Sequence, residues 1–258
     1  MKKLPAILLM LIASFVSLAQ GELTDNINYF LDEESFAAKI KSNGWGVNYR
    51  KALWVNRYYK NIYEFEFTKI RDEKEIKFYN PFYIAAGKIY YGKINDAFDL
   101  RAGIGRQKVI TEKGDKKSVE IRAFATAGAS LAFMKPVYYE VYTSSNYTYF
   151  TKFDPTIQMS DIESMASYSK GLDEIKVSPG GYLKIGISFE HSAKKQNLAA
   201  LEVGACFSAY MLPLEIIYDS KPKNLFLNLF LEYRLGKYIK PTSSKRIRKL
   251  SEQMSKKL

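Results

Sequence analysis

Apolar and polar residues alternate with a period of two over long stretches of the chain. In LFLNLFLEYRLGK the odd positions from Leu225 to Leu235 are all apolar, whereas the even positions include Glu232 and Arg234. The same alternation recurs in FDLRAGIGRQ, VEIRAFATAGASLAF, GYLKIGISFEHS and ALEVGACFSAYM. Successive side chains of a strand point to opposite faces, so the pattern predicts strands with one apolar and one polar face.

The alternating segments predict eight strands, separated by short polar turns such as RDEK, TEKGDKKS and SAKKQN. Pro81 interrupts the third segment, and because proline cannot donate to a sheet, a count of eight to ten strands stays open. The predicted strands are 36–50, 60–70, 76–94, 98–110, 119–134, 180–191, 198–214 and 225–236.

Two classes of all-β protein alternate in this way: soluble β-sandwiches and membrane-spanning β-barrels. The apolar faces extend over the roughly 9–11 residues that a tilted strand needs to cross a bilayer. The opposite faces hold acids and bases in nearly balanced numbers, with frequent glycines, which is typical of a polar lumen. We therefore predict an antiparallel up-and-down transmembrane β-barrel over 36–236, and a secreted or periplasmic sandwich is the alternative. The predicted lumen network comprises Arg50, Glu64, Glu66, Asp99, Arg101, Glu120, Arg122, Lys184, Glu190, Glu202, Glu232 and Arg234.

The N-terminal residues predict export from the cytoplasm. Lys2 and Lys3 precede an apolar run that is too short to span a bilayer and that ends in small residues. This is the pattern of a signal peptide over 1–19, cleaved before Gln20. The segment 20–35 is acidic and is interpreted as a periplasmic lead-in. Cys206 is the single cysteine, so an intramolecular disulfide is excluded.

The signal peptide, the alternating strands and the apolar strand near the C-terminus resemble small outer-membrane β-barrels of the OmpA/OmpX type. The resemblance implies residence in the outer membrane of a Gram-negative bacterium, contact with outer-membrane lipid, and both barrel termini in the periplasm. The segment 135–178 would then lie outside the cell, and the three short turns on the periplasmic side. Eight strands enclose an interior that side chains fill, so no diffusion pore is expected. Many such proteins end on the last strand, whereas here a tail follows Gly236.

The long segment 135–178 is rich in aromatic residues, and long loops of compact domains are usually functional or disordered. One interpretation is an exposed recognition surface. The other is that the rings extend the strands as an aromatic girdle or fold down as a lid. The candidate recognition residues are Tyr138, Tyr139, Tyr142, Tyr147, Tyr149, Phe150 and Phe153.

The tail 237–258 holds eight bases and one acid, and therefore most of the chain's net positive charge. That concentration, with the signal peptide, argues against nucleic acid as a partner. Apolar residues spaced by three and four predict a short basic amphipathic helix, and a solvated, disordered tail is the alternative. A periplasmic helix of this kind would dock on anionic lipid, peptidoglycan, or a periplasmic or outer-membrane protein. The candidate docking residues are Arg246, Ile247, Arg248, Leu250, Met254 and Leu258.

No motif for catalysis, a cofactor or a metal ion is found in the sequence. The single histidine, His191, adjoins a predicted turn and is interpreted as an interfacial ring. We therefore predict a non-enzymatic barrel with a structural or binding role. Three alternatives stay open: an accessory subunit of a larger outer-membrane machine for secretion, assembly or transport, docked by the tail; a small porin; and an outer-membrane lipid-modifying enzyme.

Overall fold

The computed structural model describes residues 31–56, 58–79, 89–112, 118–142, 147–192 and 197–239. The predicted signal peptide and the tail docking residues lie outside these ranges. Among the residues described, no helix has the length and apolar character needed to span a bilayer. Strands dominate, and two short 3-10 turns occupy Met159–Asp161 and Leu172–Glu174.

The strands form where apolar and polar residues alternate, as the sequence predicts. Their bounds are β1 Asp32–Lys41, β2 Gly44–Trp54, β3 Tyr59–Ile70, β4 Asn95–Thr111, β5 Glu120–Pro136, β6 Tyr138–Tyr142, β7 Thr148–Lys152, β8 Ile162–Met165, β9 Lys176–Glu190, β10 Asn197–Leu214 and β11 Lys223–Ile239.

Eight of the strands within the described ranges close into an antiparallel barrel in the order β1-β11-β10-β9-β5-β4-β3-β2. The first and last strands pair along their length, with Phe36 opposite Leu235, and β1 also pairs with β2. The closed ladder leaves no unpaired edge, which is what a strand needs inside a bilayer. The predicted all-β class and closed antiparallel barrel are confirmed.

The connections distinguish two ends of the barrel. The β2–β3, β4–β5 and β9–β10 turns lie at the end where β1 begins and β11 finishes, which we call the turn end. The β1–β2 turn, the β3–β4 connection 71–94, the insertion 137–175 and the β10–β11 connection 215–222 lie at the opposite loop end.

Two strand predictions are wrong, and their errors cancel in the count. The predicted strand 36–50 is the β1–β2 hairpin, whose two-residue turn is too short to interrupt the apolar pattern visibly. Gly44, directly after that turn, has a φ of 148°, a conformation that other residues rarely adopt. The described residues of the predicted strand 76–94, namely 76–79 and 89–94, belong to none of the barrel strands; Phe78 pairs with Ile89, and Lys93 with Ile217, in isolated bridges.

The location of one turn and the bounds of two strands also differ from the prediction. Because 36–50 is two strands, RDEK at 71–74 lies at the loop end and not beside the short turns as predicted. β1 begins at Asp32, inside the range interpreted as a lead-in, because Glu33 and Ser35 already face the interior. β11 continues to Ile239, three residues beyond the predicted end of the barrel at 236, because its pairing with β1 continues that far.

An apolar cluster closes the loop end of the lumen. Ile70 of β3 and Tyr210 of β10, on opposite walls, belong to it together with Ile216 and Ile217 of the β10–β11 connection. The Ile94 N–H donates to the Ile216 carbonyl at 2.9 Å, which ties two loop-end connections together. The mouth of the barrel is therefore covered by packed side chains.

The insertion folds into a sheet of its own, in the order β7-β6-β8. Val137, Tyr139, Val141 and Ile162 form a buried cluster beneath it, and Ile89 of the β3–β4 connection joins them. The described residues of the insertion are thus packed against a neighbouring loop.

Candidate functional site

The centre of the lumen is occupied by two buried carboxylates of β3, Glu64 and Glu66. The Lys184 ammonium of β9 lies 2.7 Å from Glu64 and also pairs with Glu66. Lys39 of β1 donates to Glu66 at 2.5 Å, and Arg50 of β2 lies 3.3 Å from Glu64. Glu64 therefore meets cations from two strands, and Glu66 from three, since Arg101 of β4 lies 3.8 Å away.

Neutral donors complete the surroundings of these carboxylates. The Thr126 and Tyr182 hydroxyls donate to Glu64 at 2.7 and 2.9 Å, and the Asn48 amide donates to Glu66 at 2.7 Å. A buried charge is costly unless it is both paired and hydrogen-bonded. Both carboxylates are paired and hydrogen-bonded; Glu66 accepts through its Oε1, whereas its Oε2 has the Arg101 guanidinium at 3.8 Å.

The network continues from this centre towards the loop end and around the barrel wall. Arg101 donates to Asp99 at 2.5 Å and the Tyr210 hydroxyl donates to the same carboxylate at 2.6 Å. Glu202 lies between Arg50 and Arg234, at 2.7 and 3.3 Å. Arg234 also pairs with Glu232, so that cations and carboxylates alternate around the wall.

A second ionic cluster fills the turn end of the lumen. Arg122 is its hub and lies 3.1 Å from Glu33, 2.6 Å from Glu120 and 2.6 Å from Glu190. Lys60 pairs with Glu33 as well. The lumen is therefore filled with ion pairs at its turn end, with ion pairs and the buried Phe124 and Phe230 rings at its centre, and with apolar side chains at its loop end.

The structure brings all twelve predicted lumen residues together inside the barrel. Eleven of them are at most 5% exposed, whereas the side chain of Glu120, at the turn end, keeps 16% exposure. Sequence reasoning missed other members, namely Glu33, Lys39, Lys41, Asn48, Lys60 and Tyr182. Glu33 was assigned to the lead-in, and Lys39 had the wrong parity for a strand running from 36 to 50. A change of phase at Ser42–Asn43 was the signal that would have located Lys39.

The outer surface of the barrel is an apolar belt. On β11, Leu227 is 75% exposed and Leu229 68%, and similar side chains cover the other barrel strands. Further members are Phe36, Ile40, Val47, Phe65, Ile104, Leu131, Leu183, Ile185, Val203 and Phe207. Water disfavours a continuous apolar surface of this kind, whereas lipid tails solvate it.

An apolar outside, a charged inside and a closed ladder together define a transmembrane β-barrel. The chain therefore has the architecture of a small outer-membrane β-barrel. The leucines of the closing strand face outward in the apolar belt, whereas Glu232 and Arg234 of the same strand are buried in the lumen.

The aromatic residues of the insertion divide into buried and exposed groups. Tyr139 is fully buried; its hydroxyl donates to the Tyr90 carbonyl at 2.5 Å and accepts the Lys93 N–H at 2.9 Å. Tyr138, Tyr142 and Phe153 are half-buried. Tyr147 is 76% exposed, and Tyr149 and Phe150 are each 48% exposed.

Charged side chains lie among the exposed rings. The Lys170 ammonium is 3.7 Å from the centre of the Phe150 ring, which is within the range of a cation–π contact. Glu174 accepts hydrogen bonds from Lys152 and Tyr138, and these two donors lower the pKa of its carboxyl. The outer face of the insertion is thus both aromatic and charged.

Sites for other chemistry are sparse in the described part of the chain. His191 follows β9 at the turn end, with its ring centre 6.0 Å from that of Tyr233. Cys206 is buried in the lumen and accepts a hydrogen bond from Arg101 at 3.1 Å. Among the residues described, no three His, Cys, Asp or Glu side chains are grouped in a way that could hold a metal ion.

No family model matches the sequence, and no curated protein matches it. Among solved structures, the chain is similar to Neisserial surface protein A, with 10% identity, a TM-score of 0.40, and coverage of 83% of this chain and 100% of that one. It is also similar to Ail, the attachment invasion locus protein of Yersinia pestis, with 11% identity, a TM-score of 0.38, and coverage of 81% and 97%. The assignment as a membrane barrel rests on the belt, the lumen and the closed ladder of this chain.

Proposed function

We propose that the chain is a non-enzymatic binding protein of the outer membrane, in which a rigid barrel presents the insertion 137–175 outside the cell. The observation that carries this proposal is the insertion itself. It is a packed three-stranded sheet, yet Tyr147, Tyr149 and Phe150 remain exposed. Exposed aromatic side chains on a fixed support are typical of recognition surfaces.

The orientation follows from the lengths of the connections. Outer-membrane barrels have short periplasmic turns and longer extracellular loops. The insertion and the connections 71–94 and 215–222 share the loop end. The first residue of β1 and the last residue of β11 lie at the turn end, together with the short turns. We accordingly assign the loop end to the outside and the turn end to the periplasm.

The insertion is fixed in place, which favours binding. The Tyr139 hydrogen bonds attach β6 to the β3–β4 connection, and the Ala166 N–H donates to the Tyr138 carbonyl at 2.9 Å. A surface that is already ordered loses little conformational entropy when a partner binds. The buried position of Tyr139 supports the view that this ring holds the sheet and that the exposed rings contact the partner.

A transport function has less support from the geometry. Ion pairs occupy the lumen from Glu33 at the turn end to Asp99, and apolar side chains close the loop end. We expect planar bilayers containing the purified protein to show no steady conductance. Large, stable channels would favour the porin alternative and contradict the filled lumen. The proposed binding role does not depend on the tail.

The orientation is tested by cysteine labelling on intact cells, in a Cys206→Ser background. A cysteine introduced at Tyr149 should react with a membrane-impermeant maleimide, whereas one at the turn-end residue His191 should react only after the outer membrane is permeabilised. The reverse pattern would overturn the proposal.

The binding role is tested by photo-crosslinking from the same position. A photoreactive residue at 149 should capture an extracellular macromolecule on intact cells, and the substitutions Tyr147→Ser and Phe150→Ser should abolish that adduct without changing barrel mobility on gels. A photoreactive residue at 227, on the lipid belt, is the matched control. If position 149 yields no adduct beyond those of position 227, the insertion is not a binding surface.

A further inference from the structure

The lipid-facing wall of β2 to β5 contains a groove of about 470 Å³. Its volume lies within the range of about 300–1,000 Å³ that is common for sites that bind small ligands. The small residues of its lining are Ala102, Gly103, Ala127 and Gly128, and the larger ones include Tyr63, Phe65 and Ile104. Small residues next to large ones leave a depression in the apolar belt.

The strand register places cations at the turn end of this groove. Lys51, Tyr63 and Ile104 lie side by side in one row across β2, β3 and β4. Arg106 lies two residues further towards the turn end on β4, opposite Asn61, and Lys108 two residues further again. Residues two apart on a strand share a face, so Arg106 and Lys108 point outward like Ile104.

The cations of this rim outnumber the acids around it. Glu34 on β1 lies opposite Lys51 and accepts the Tyr49 hydroxyl at 2.5 Å. Among the described outward-facing positions of β3, β4 and β5, the one acidic residue is Asp96 at the loop end, away from the rim, where it lies 3.2 Å from Lys69 and 2.7 Å from Lys93. Arg106 and Lys108 are exposed, each 5.9 Å from the centre of the Tyr59 ring. The rim therefore carries a net positive charge at the boundary of the apolar belt.

We infer that this wall binds one anionic glycerophospholipid, with an acyl chain in the groove and the headgroup phosphate between Lys51 and Arg106. The apolar groove matches the chain, and the cationic rim matches the phosphate. Lysine and arginine near a membrane surface attract anionic lipid, and charge–charge attraction is stronger at the low-dielectric boundary. The inference does not depend on the binding role of the insertion.

A second copy of the chain is a less favourable occupant. Two barrels in one membrane share the same orientation, so their cationic rims would meet at the same depth. Lys51 and Arg106 of one copy would then face the same cations of the other, which is repulsive. A lipid phosphate between Lys51 and Arg106 carries the opposite charge, so a lipid meets no such repulsion.

The test compares phosphatidylglycerol with phosphatidylcholine in nanodiscs of mixed composition. Lipid that stays bound to the released full chain is measured by native mass spectrometry. The unmodified protein should retain phosphatidylglycerol preferentially. In the double variant Lys51→Gln/Arg106→Gln, the ratio of retained phosphatidylglycerol to phosphatidylcholine should fall about tenfold, because each cation near the surface contributes to anionic-lipid attraction. Equal retention of the two lipids by the unmodified protein would refute the inference.

Two further variants separate the groove from general surface charge. Lys237→Gln removes an exposed cation on β11, opposite Glu34 and therefore at similar depth, and should leave the preference unchanged. Ala102→Phe/Ala127→Phe fills the groove, and should reduce retained lipid while leaving the cations in place. Gel mobility confirms that each variant is folded.

Three results would contradict the site. The first is an equal loss of preference in Lys237→Gln, which would indicate diffuse surface charge. The second is unchanged lipid retention in the filled-groove variant. The third is a dimer of the unmodified protein that this variant converts into a monomer, which would identify a second copy as the occupant.

Discussion

Replacing Lys184 by methionine tests whether the lumen network stabilises the barrel. The change removes one charge from the centre and keeps a side chain of similar length. The Lys184 ammonium lies 2.7 Å from Glu64 and also pairs with Glu66, and all three side chains are 0% exposed. Two buried carboxylates on one strand would therefore lose the cation they share.

The expected loss of unfolding free energy is about 3 kcal/mol. Removing one partner of a buried ion pair typically costs about 3–5 kcal/mol. The lower part of this range applies because each carboxylate keeps other partners. Glu66 retains Lys39 at 2.5 Å, and Glu64 retains Arg50 at 3.3 Å.

Urea unfolding of the protein in lipid vesicles measures this loss. The folded fraction is obtained from the mobility difference between heated and unheated samples on gels. Cys206 gives a second probe, because it is the single cysteine of the chain and is buried in the folded barrel. Maleimide labelling of Cys206 should rise along the same urea curve as the mobility change.

Lys74→Met is the matched control. Lys74 lies 3.0 Å from Asp219, but the two side chains are 55% and 89% exposed. Exposed ion pairs contribute about 0–1 kcal/mol, so the control should unfold close to the unmodified protein. The double variant Lys184→Met/Glu66→Gln should recover part of the loss, since it removes a carboxylate together with its cation. A loss below about 1 kcal/mol for Lys184→Met would refute the reasoning, because buried pairs cost more than that to break.

Other predictions concern the belt, the insertion and the hairpin turn. Leu229→Arg, on the lipid face, should lower the free energy of unfolding by about 2–4 kcal/mol, measured with urea in vesicles. Leu225→Arg, near the strand end, should lower it by about 0–1 kcal/mol. Equal losses would place the bilayer elsewhere. Tyr139→Phe removes the closer acceptor of the buried Lys93 N–H, which keeps a longer 3.4 Å contact with the Tyr90 carbonyl. The variant should cost about 1 kcal/mol and speed protease cleavage within the insertion. Tyr147→Phe is its control, and equal cleavage rates would contradict the anchoring role. Gly44→Ala forces an L side chain to a φ of 148° and should lower the urea midpoint; an unchanged midpoint would show that the turn adapts.

The strands were predictable because the bilayer imposes a simple rule on them. Each face of a barrel strand meets either lipid or lumen, so β4, β5, β9, β10 and β11 show their alternation directly. The rule fails where neighbouring strands are joined by a two-residue turn. Beyond Ser42–Asn43 the inward positions change from odd to even, and a pattern taken as continuous assigns Lys39 to the wrong face.

The partners within the lumen were not predictable from the sequence. Arg50 pairs with Glu202 although 152 positions separate them, and Lys184 pairs with Glu64 across 120 positions. These contacts depend on the order and stagger of the closed barrel, which alternation does not encode. The sheet of the insertion was missed for another reason: β6, β7 and β8 contain five, five and four residues, too few to show a period.

The closed lumen restricts where this protein can interact with other molecules. Arg122 and its three carboxylates occupy the turn end, and Ile216 and Ile217 lie in the apolar cluster at the loop end. A ligand passing through would have to break ion pairs whose separation in a low-dielectric interior is costly. Binding is therefore expected on outer surfaces. The described residues offer two candidates, the aromatic face of the insertion and the cationic groove beside Lys51, which lie at opposite ends of the barrel. Since the filled barrel between them is rigid, substitutions at one surface should leave binding at the other unchanged.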